Sequence, residues 1–412
     1  MDRRSFLTLV GLAACEQRAR RPPDAAAPPR PDVAAPDETE EDLPAAPPPF
    51  DGLPDEALRP LGDATARLVT ALWPTLRDGP GNPVWSPASV AVSLGLAAAM
   101  SHPEAAARVH TFLGLGADRP HNDRCLATLL RQWGRSFEGP GFSALHRPFI
   151  ARGARLSDEA RARLRTAFGS PAALVVADGS EGVRARIHGF FTARTRGAVT
   201  HLVALDGIVA DVPANLVSAA RAAVPVRGGR GAMRFRVGGV VAIDAPAIVA
   251  REGASTARGA DATLVRVPLT DDTATLDLLV PDEGRRLDEV ETPNLAALLD
   301  ARRAMVPLRG AVAIPAVDTL PAEATRLRDA LWEAGLSEPF DPERSPLAMA
   351  GRPRAWVSEL FLLTRASFAP TAPGAGLPGP VALTVDRPFA WALRDVRHGA
   401  VLAFGRVFDP RE

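Results

Sequence analysis

Apolar residues first fall into a regular pattern at Leu61, Ala64, Leu68, Leu72 and Leu76, a spacing that predicts an amphipathic helix over residues 61–76. The turn-forming run Gly79-Pro80-Gly81-Asn82-Pro83 ends it. Ser86 then stands where a helix N-cap is needed and Pro87 where the first helical residue goes. Residues 91–100 are apolar nearly all round, so this second helix should be buried in the middle of a domain. Near the C-terminus, Phe389-Ala390-Trp391-Ala392-Leu393 and Val401-Leu402-Ala403-Phe404 flank Arg397-His398-Gly399. That is a strand, a turn with Gly399 at positive φ, and a second strand.

Two stretches break the pattern. Residues 16–50 are Pro, Ala, Asp, Glu and Arg with almost nothing large and apolar, too little to bury a core, and read as a semi-extended tether. Ahead of them, Arg3-Arg4 precedes the apolar run Phe6 to Ala14, the layout of an export signal too short to span a bilayer. The arginine pair resembles a twin-arginine signal, and Leu12-Ala13-Ala14-Cys15 resembles a bacterial lipobox. Both imply an exported lipoprotein anchored through lipid on Cys15, at a periplasmic face or the cell surface; a plain signal peptide with a chance cysteine is the alternative. The expected division is a signal peptide over 1–15, a tether over 16–50 and one folded domain over 51–412.

Composition narrows the function by exclusion. The 48 basic and 48 acidic residues cancel to a formal charge of +0, which gives no electrostatic case for a nucleic-acid partner. Lysine and tyrosine are absent while Ala, Arg, Pro and Gly abound, which we attribute to codon bias in a GC-rich genome. Cys15 and Cys125 offer no disulfide framework, and Cys125 reads as a core residue. None of the seven histidines sits in a zinc-protease motif or beside a nucleophile elbow, and no Cys/His spacing suggests a metal site. The glycine runs at 114–116 and 228–231 complete no phosphate-binding fingerprint. No catalytic residue, metal ligand or cofactor is assigned, and the chain is expected not to be an enzyme. Arg119, Arg124, Arg131 and Arg135 could line a helix and bind an acidic polysaccharide, a solvated face being the simpler reading.

The C-terminal hairpin resembles the closing hairpin of serpins, the large protease-inhibitor family. Further matches follow in the same order. Val84-Trp85-Ser86-Pro87 enters a central buried helix, and Phe190 to Val199 resembles the helix that packs across the main sheet. Residues 215–224 resemble the next central strand. Leu278-Leu279-Val280-Pro281 and Val312-Ala313-Ile314-Pro315 resemble two later ones. The resemblance covers residues 61–410 and implies an α+β serpin fold, multiple helices around three mainly antiparallel or mixed sheets, with an exposed reactive-centre-like loop. It implies an inhibitor of serine (or cysteine) proteases, monomeric, with the loop as its site. That loop is Ala369, Pro370, Thr371, Ala372, Pro373, Gly374, Ala375, Gly376, Leu377 and Pro378, with Leu377 as the bait.

Three departures qualify the function. Ser218 stands where the family places an asparagine of its sheet-opening network, and Leu362 where its histidine partner is expected. No aromatic lies in 219–224. The loop is short: the fifteen residues 369–383 span at most about 50 Å when extended. Proline has no N–H to offer a central strand, and Pro370, Pro373, Pro378 and Pro380 all lie in this stretch. Pro378 also follows the bait directly. Trapping by loop insertion is therefore not expected. The reading is a tethered inhibitor that blocks its target reversibly; the alternative is a serpin-fold binding module without a protease target.

Overall fold

The computed structural model describes residues 53–412, apart from 79–80, 134–136, 152–154, 169–172, 176–178, 205–207, 209–213, 251–252, 271, 345, 351–353 and 372–379. In chain order it opens with α1 (Asp55–Leu76), β1 (Val84–Trp85), α2 (Pro87–Met100), α3 (Pro103–Phe112) and α4 (Arg119–Trp133). Then come β2 (Gly141–Ala151), β3 (Arg155–Leu156), α5 (Asp158–Arg163), β4 (Ala173–Val175) and α6 (Gly179–Arg194). The middle is β-rich: β5 (Ala214–Val226), β6 (Gly228–Val237), β7 (Val241–Ala250), β8 (Ser255–Arg258), β9 (Ala262–Pro268) and β10 (Ala274–Pro281). After α7 (Leu287–Leu299) follow β11 (Val306–Pro307), β12 (Ala311–Pro315), β13 (Val317–Thr319), β14 (Thr325–Arg326) and α8 (Arg328–Glu333). The chain closes with β15 (Met349–Ala350), β16 (Val357–Pro370), β17 (Val381–Thr384), β18 (Phe389–Asp395) and β19 (Val401–Val407).

Three large sheets result. One has seven strands in the order β1-β19-β18-β10-β9-β8-β11 and one has four, β17-β12-β7-β6. The third, six-stranded, runs β13-β16-β5-β2-β4 with β14 also on β16. The α+β expectation therefore holds.

The elements form where the sequence placed them. Ser86 Oγ accepts the Ser89 N–H at 3.1 Å, capping α2, and donates to the Leu402 carbonyl at 2.6 Å, which ties the helix start to β19. Every residue of α2 is buried, because sheets and helices enclose it on all sides. Gly399 turns the β18–β19 hairpin at φ 77, where only glycine is free of a Cβ penalty. Gly62 of α1 lies against the same turn, and a Cβ there would sit 2.0 Å from the His398 carbonyl oxygen. Trp85, Phe389, Trp391 and Phe404 are buried. Asn82 holds the C-terminus, accepting the Phe408 N–H at 2.7 Å and donating to the Asp409 carbonyl at 2.6 Å.

Apolar side chains form one main core around α2 and a second layer under α6. The second layer packs Ile187 and Phe191 of α6 on Val217 and Ala219 of β5 and Phe361 and Leu363 of β16. The six-stranded sheet is thus covered on both faces, which explains why β5 and β16 read as nearly continuous apolar runs.

Candidate functional site: the seam between β5 and β16

β5 and β16 lie side by side and parallel in the middle of the six-stranded sheet, paired from Ala214 beside Val357 to Val226 beside Pro370. Parallel neighbours cannot be joined by a tight turn, and most of the middle of the chain separates these two. β5 contributes small side chains, Ala214, Ala219, Ala220, Ala222 and Ala223. The backbone ladder therefore supplies much of what holds the seam. One pair opposes it: Arg221 of β5 faces Arg365 of β16. Asp318 of β13 relieves this by accepting two bonds from Arg365, at 3.1 and 2.8 Å, and Arg221 turns to the Gly139 carbonyl at 2.6 Å. The Asp318 bond raises the Arg365 pKa, while burial and Arg365 lower that of Arg221.

At one end, Glu359 anchors β16. It accepts from Arg326 Nε at 3.1 Å and from the Arg328 backbone N–H at 2.9 Å. At the other, the ladder runs to the last residues of both strands. Ala369 sits opposite Pro225 and Pro370 opposite Val226, and the Thr371 N–H reaches the Val226 carbonyl at 3.1 Å. Ala369 and Pro370, expected in the exposed loop, are thus the last two residues of β16. Both prolines sit at the strand ends, where a missing N–H breaks no interior ladder bond. The connection to β17 is left with residues 371–380. Within it, Ala372, Pro373, Gly374, Ala375, Gly376, Leu377 and Pro378 fall outside the described residues, as does Cys15.

On the α2 side of the sheet, a buried polar cluster crosses beneath β5. Ser93 of α2 and Ser218 of β5 place their hydroxyls 2.6 Å apart. His146 of β2, directly opposite Ser218, brings Nδ1 to 2.9 Å from Ser218 Oγ and 3.3 Å from Ser93 Oγ. The sequence reading looked for an imidazole at Leu362, and Leu362 does stand beside Ser218 across the seam. The histidine comes from the other neighbour. The available signal was the alternation Phe142, Ala144, His146, Pro148, Ile150, which puts one histidine on an otherwise apolar face. A serine beside an imidazole resembles a nucleophile with its base, but burial excludes that use. Ser93 and Ser218 are 1% and 0% exposed, and desolvation pushes His146 down to about 3, too acidic for a base at neutral pH. Because the cluster links α2, β2 and β5, no hydrogen bond of it crosses to β16.

The arginine row on α4 is also accounted for. Arg119 donates to the Ala98 and Ser101 carbonyls at 2.6 and 3.0 Å, satisfying the open C-terminus of α2, and Arg131 donates to the Ala167 carbonyl at 3.1 Å. Arg135 lies outside the described residues. Arg119 and Arg131 thus serve the fold. Cys125 is buried, its thiol pushed up to about 11 by desolvation, and behaves as core. Among the described residues no group of three metal-ligating side chains occurs, and no helix is long and apolar enough to cross a membrane.

Two solved structures share this architecture over nearly the whole chain. Native protease nexin-1, crystallised with heparin, aligns with a TM-score of 0.69 at 16% identity, covering 87% of this chain and 100% of that one. SRPN18 from Anopheles gambiae aligns with a TM-score of 0.72 at 14% identity, covering 86% and 98%. Both are serpins. The chain has the serpin fold. At the sequence level no family model and no curated protein matches it. Serpins trap by taking a cut loop into the main sheet as a new strand, and in this chain β5 and β16 are the parallel pair inside the six-stranded sheet. The seam is closed from end to end.

Proposed function

We propose that this chain is a serpin-type inhibitor of a serine-type endopeptidase that acts by reversible blocking and not by trapping. It is not an enzyme in this reading. The observation that carries it is a mismatch of lengths. β5 is thirteen residues long, so a strand filling the seam spans about 43 Å. If the bait is Leu377, a cut after it frees residues 371–377, which reach about 23 Å when extended. The freed piece would fill only half the seam, and Pro373 would remove an N–H near its start. A protease attached to its end could not be carried to the far side of the sheet.

The domain would be held at a membrane surface by acyl chains on Cys15, each buried CH₂ contributing about 0.8 kcal/mol, with residues 16–50 as the tether. The same short connection also favours a second reading, a binding module without a protease target, because Pro378 behind Leu377 makes a poor bait.

Incubating the protein with a panel of serine and cysteine proteases separates these readings. Reversible blocking predicts loss of activity that dilution restores, without a covalent adduct on a denaturing gel. An adduct would overturn this reading, and no effect on any protease would favour the binding module. For the anchor, Cys15→Ser should release the protein from membranes or stall its processing; a soluble wild type without acyl label would contradict it.

A further inference from the structure

The second apolar layer, between α6 and the sheet, is closed on one side by Leu202 and Val203, both buried. They belong to the chain that leaves α6 on its way to β5. His188 of α6 holds them from the helix side: its Nε2 accepts the backbone N–H of Leu202 at 3.2 Å and of Val203 at 3.1 Å. From the other side, the Ala324 N–H donates to the Leu202 carbonyl at 3.1 Å. Both His188 bonds need the lone pair on Nε2, which assigns the ring proton to Nδ1. An imidazolium has a proton on each nitrogen and accepts from neither. The same atom would then face two N–H groups as a third donor.

The surroundings sharpen this conflict. Arg184 lies one turn earlier on α6, and the His201 ring packs edge-on at 5.8 Å. Across the layer, Arg147 of β2 and Arg194 of α6 both lie over the Phe190 ring. Among the described residues no carboxylate pairs with His188. Burial holds its pKa below the ordinary histidine value, Arg184 and His201 add to this, and the backbone at Val203 opposes it weakly.

We propose that His188 is an acid-opened latch: protonation releases residues 201–203 from α6 and uncovers the apolar layer above the β5–β16 seam, while the main core stays folded. The neutral ring closes the latch and the charged ring opens it, so opening follows acidification below the usual imidazole range.

Amide hydrogen exchange on the full chain tests this, expressed as protection factors so that the intrinsic pH dependence cancels. Between about pH 7.5 and about pH 5, protection at Leu202 and Val203 should fall by about tenfold or more beyond the fall that Leu216 of β5 and Leu393 of β18 share through the acid loss of global stability. In His188→Gln the side-chain carbonyl accepts the same N–H groups without titrating, so the fall should vanish. His201→Asn should retain it. An undiminished fall in His188→Gln, or its loss in His201→Asn, overturns the proposal. Should His188→Gln not fold, an NMR titration of the wild-type His188 ring decides. Ring protonation coinciding with loss of protection supports the latch, and protonation with both amides still protected overturns it.

Discussion

The β18–β19 hairpin and the β5–β16 pair both consist of interior strands of a sheet, yet different forces hold them. The hairpin is antiparallel, its strands are joined by the five residues 396–400, and both strands are buried along their whole length. Its side chains are large and interlock: Trp73 meets Phe404 edge-on at 4.7 Å, and Trp391 meets Phe368 at 5.1 Å. Its buried charges are paired, Arg394 with Asp277 at 3.0 Å and Arg406 with Glu291. The β5–β16 pair is parallel and alanine-rich on one strand, with two arginines face to face. Side-chain volume specifies the hairpin, while backbone hydrogen bonds carry much of the seam. A ladder can be exchanged for another ladder, whereas a packed tryptophan cannot. A competing strand would meet less side-chain packing at the seam than at the hairpin, and in the proposed function the connection beside it is too short to supply that strand.

The largest effect should come from the hairpin. Phe389→Ala deletes a fully buried ring and should cost about 3–5 kcal/mol in chemical denaturation. A loss below about 1 kcal/mol would mean that side-chain packing does not distinguish the two regions.

Acid should act next, through the polar cluster behind the seam. Burial lowers His146 to about 3 and His110 to about 4, the latter helped by Arg119. A lowered histidine favours the fold in full above its unfolded value near 6.5, and that share is lost as pH falls. At about pH 5 each should have cost about 2 kcal/mol. Asp123 works in the opposite direction: burial raises it to about 6, so it favours the fold as pH falls from there towards its unfolded value. The net result is a lower melting temperature at pH 5 than at neutral pH, with a shallower slope in His146→Asn. A melting temperature that rises on acidification would show that the cluster does not hold β5.

Asp318→Asn removes the carboxylate that relieves the Arg221–Arg365 pair. Both arginines are partly exposed, so the loss should be about 0.5–1 kcal/mol, and reduced by salt. No change at low ionic strength would remove like-charge repulsion from the account of the seam.

The hairpin was legible in the sequence because its signals are local: two apolar runs around Gly399, and for α2 a serine–proline entry into an apolar run. The α+β class followed from the family resemblance that these local signals carry. The seam was less legible because its contacts are remote. His146 and Ser218 meet only once β2 and β5 pair, and the sequence reading looked to β16 for the imidazole because that is the family's arrangement. Arg119 and Arg131 read as a basic row because their acceptors, the Ala98, Ser101 and Ala167 carbonyls, are backbone atoms that no motif announces. Ala369 and Pro370 read as loop because the family resemblance places its exposed loop there, whereas here the strand runs on to Pro370, at whose end a missing N–H is tolerated.

The smallest expected effect tests the central claim most directly. Cleaving the chain near Leu377 and comparing melting temperatures before and after asks whether the freed segment enters the seam. The account predicts a shift of only a few degrees, since seven residues with an interior proline cannot build a strand beside thirteen. A cleaved form that melts tens of degrees higher would show that the segment does insert, and would make this chain a working trap.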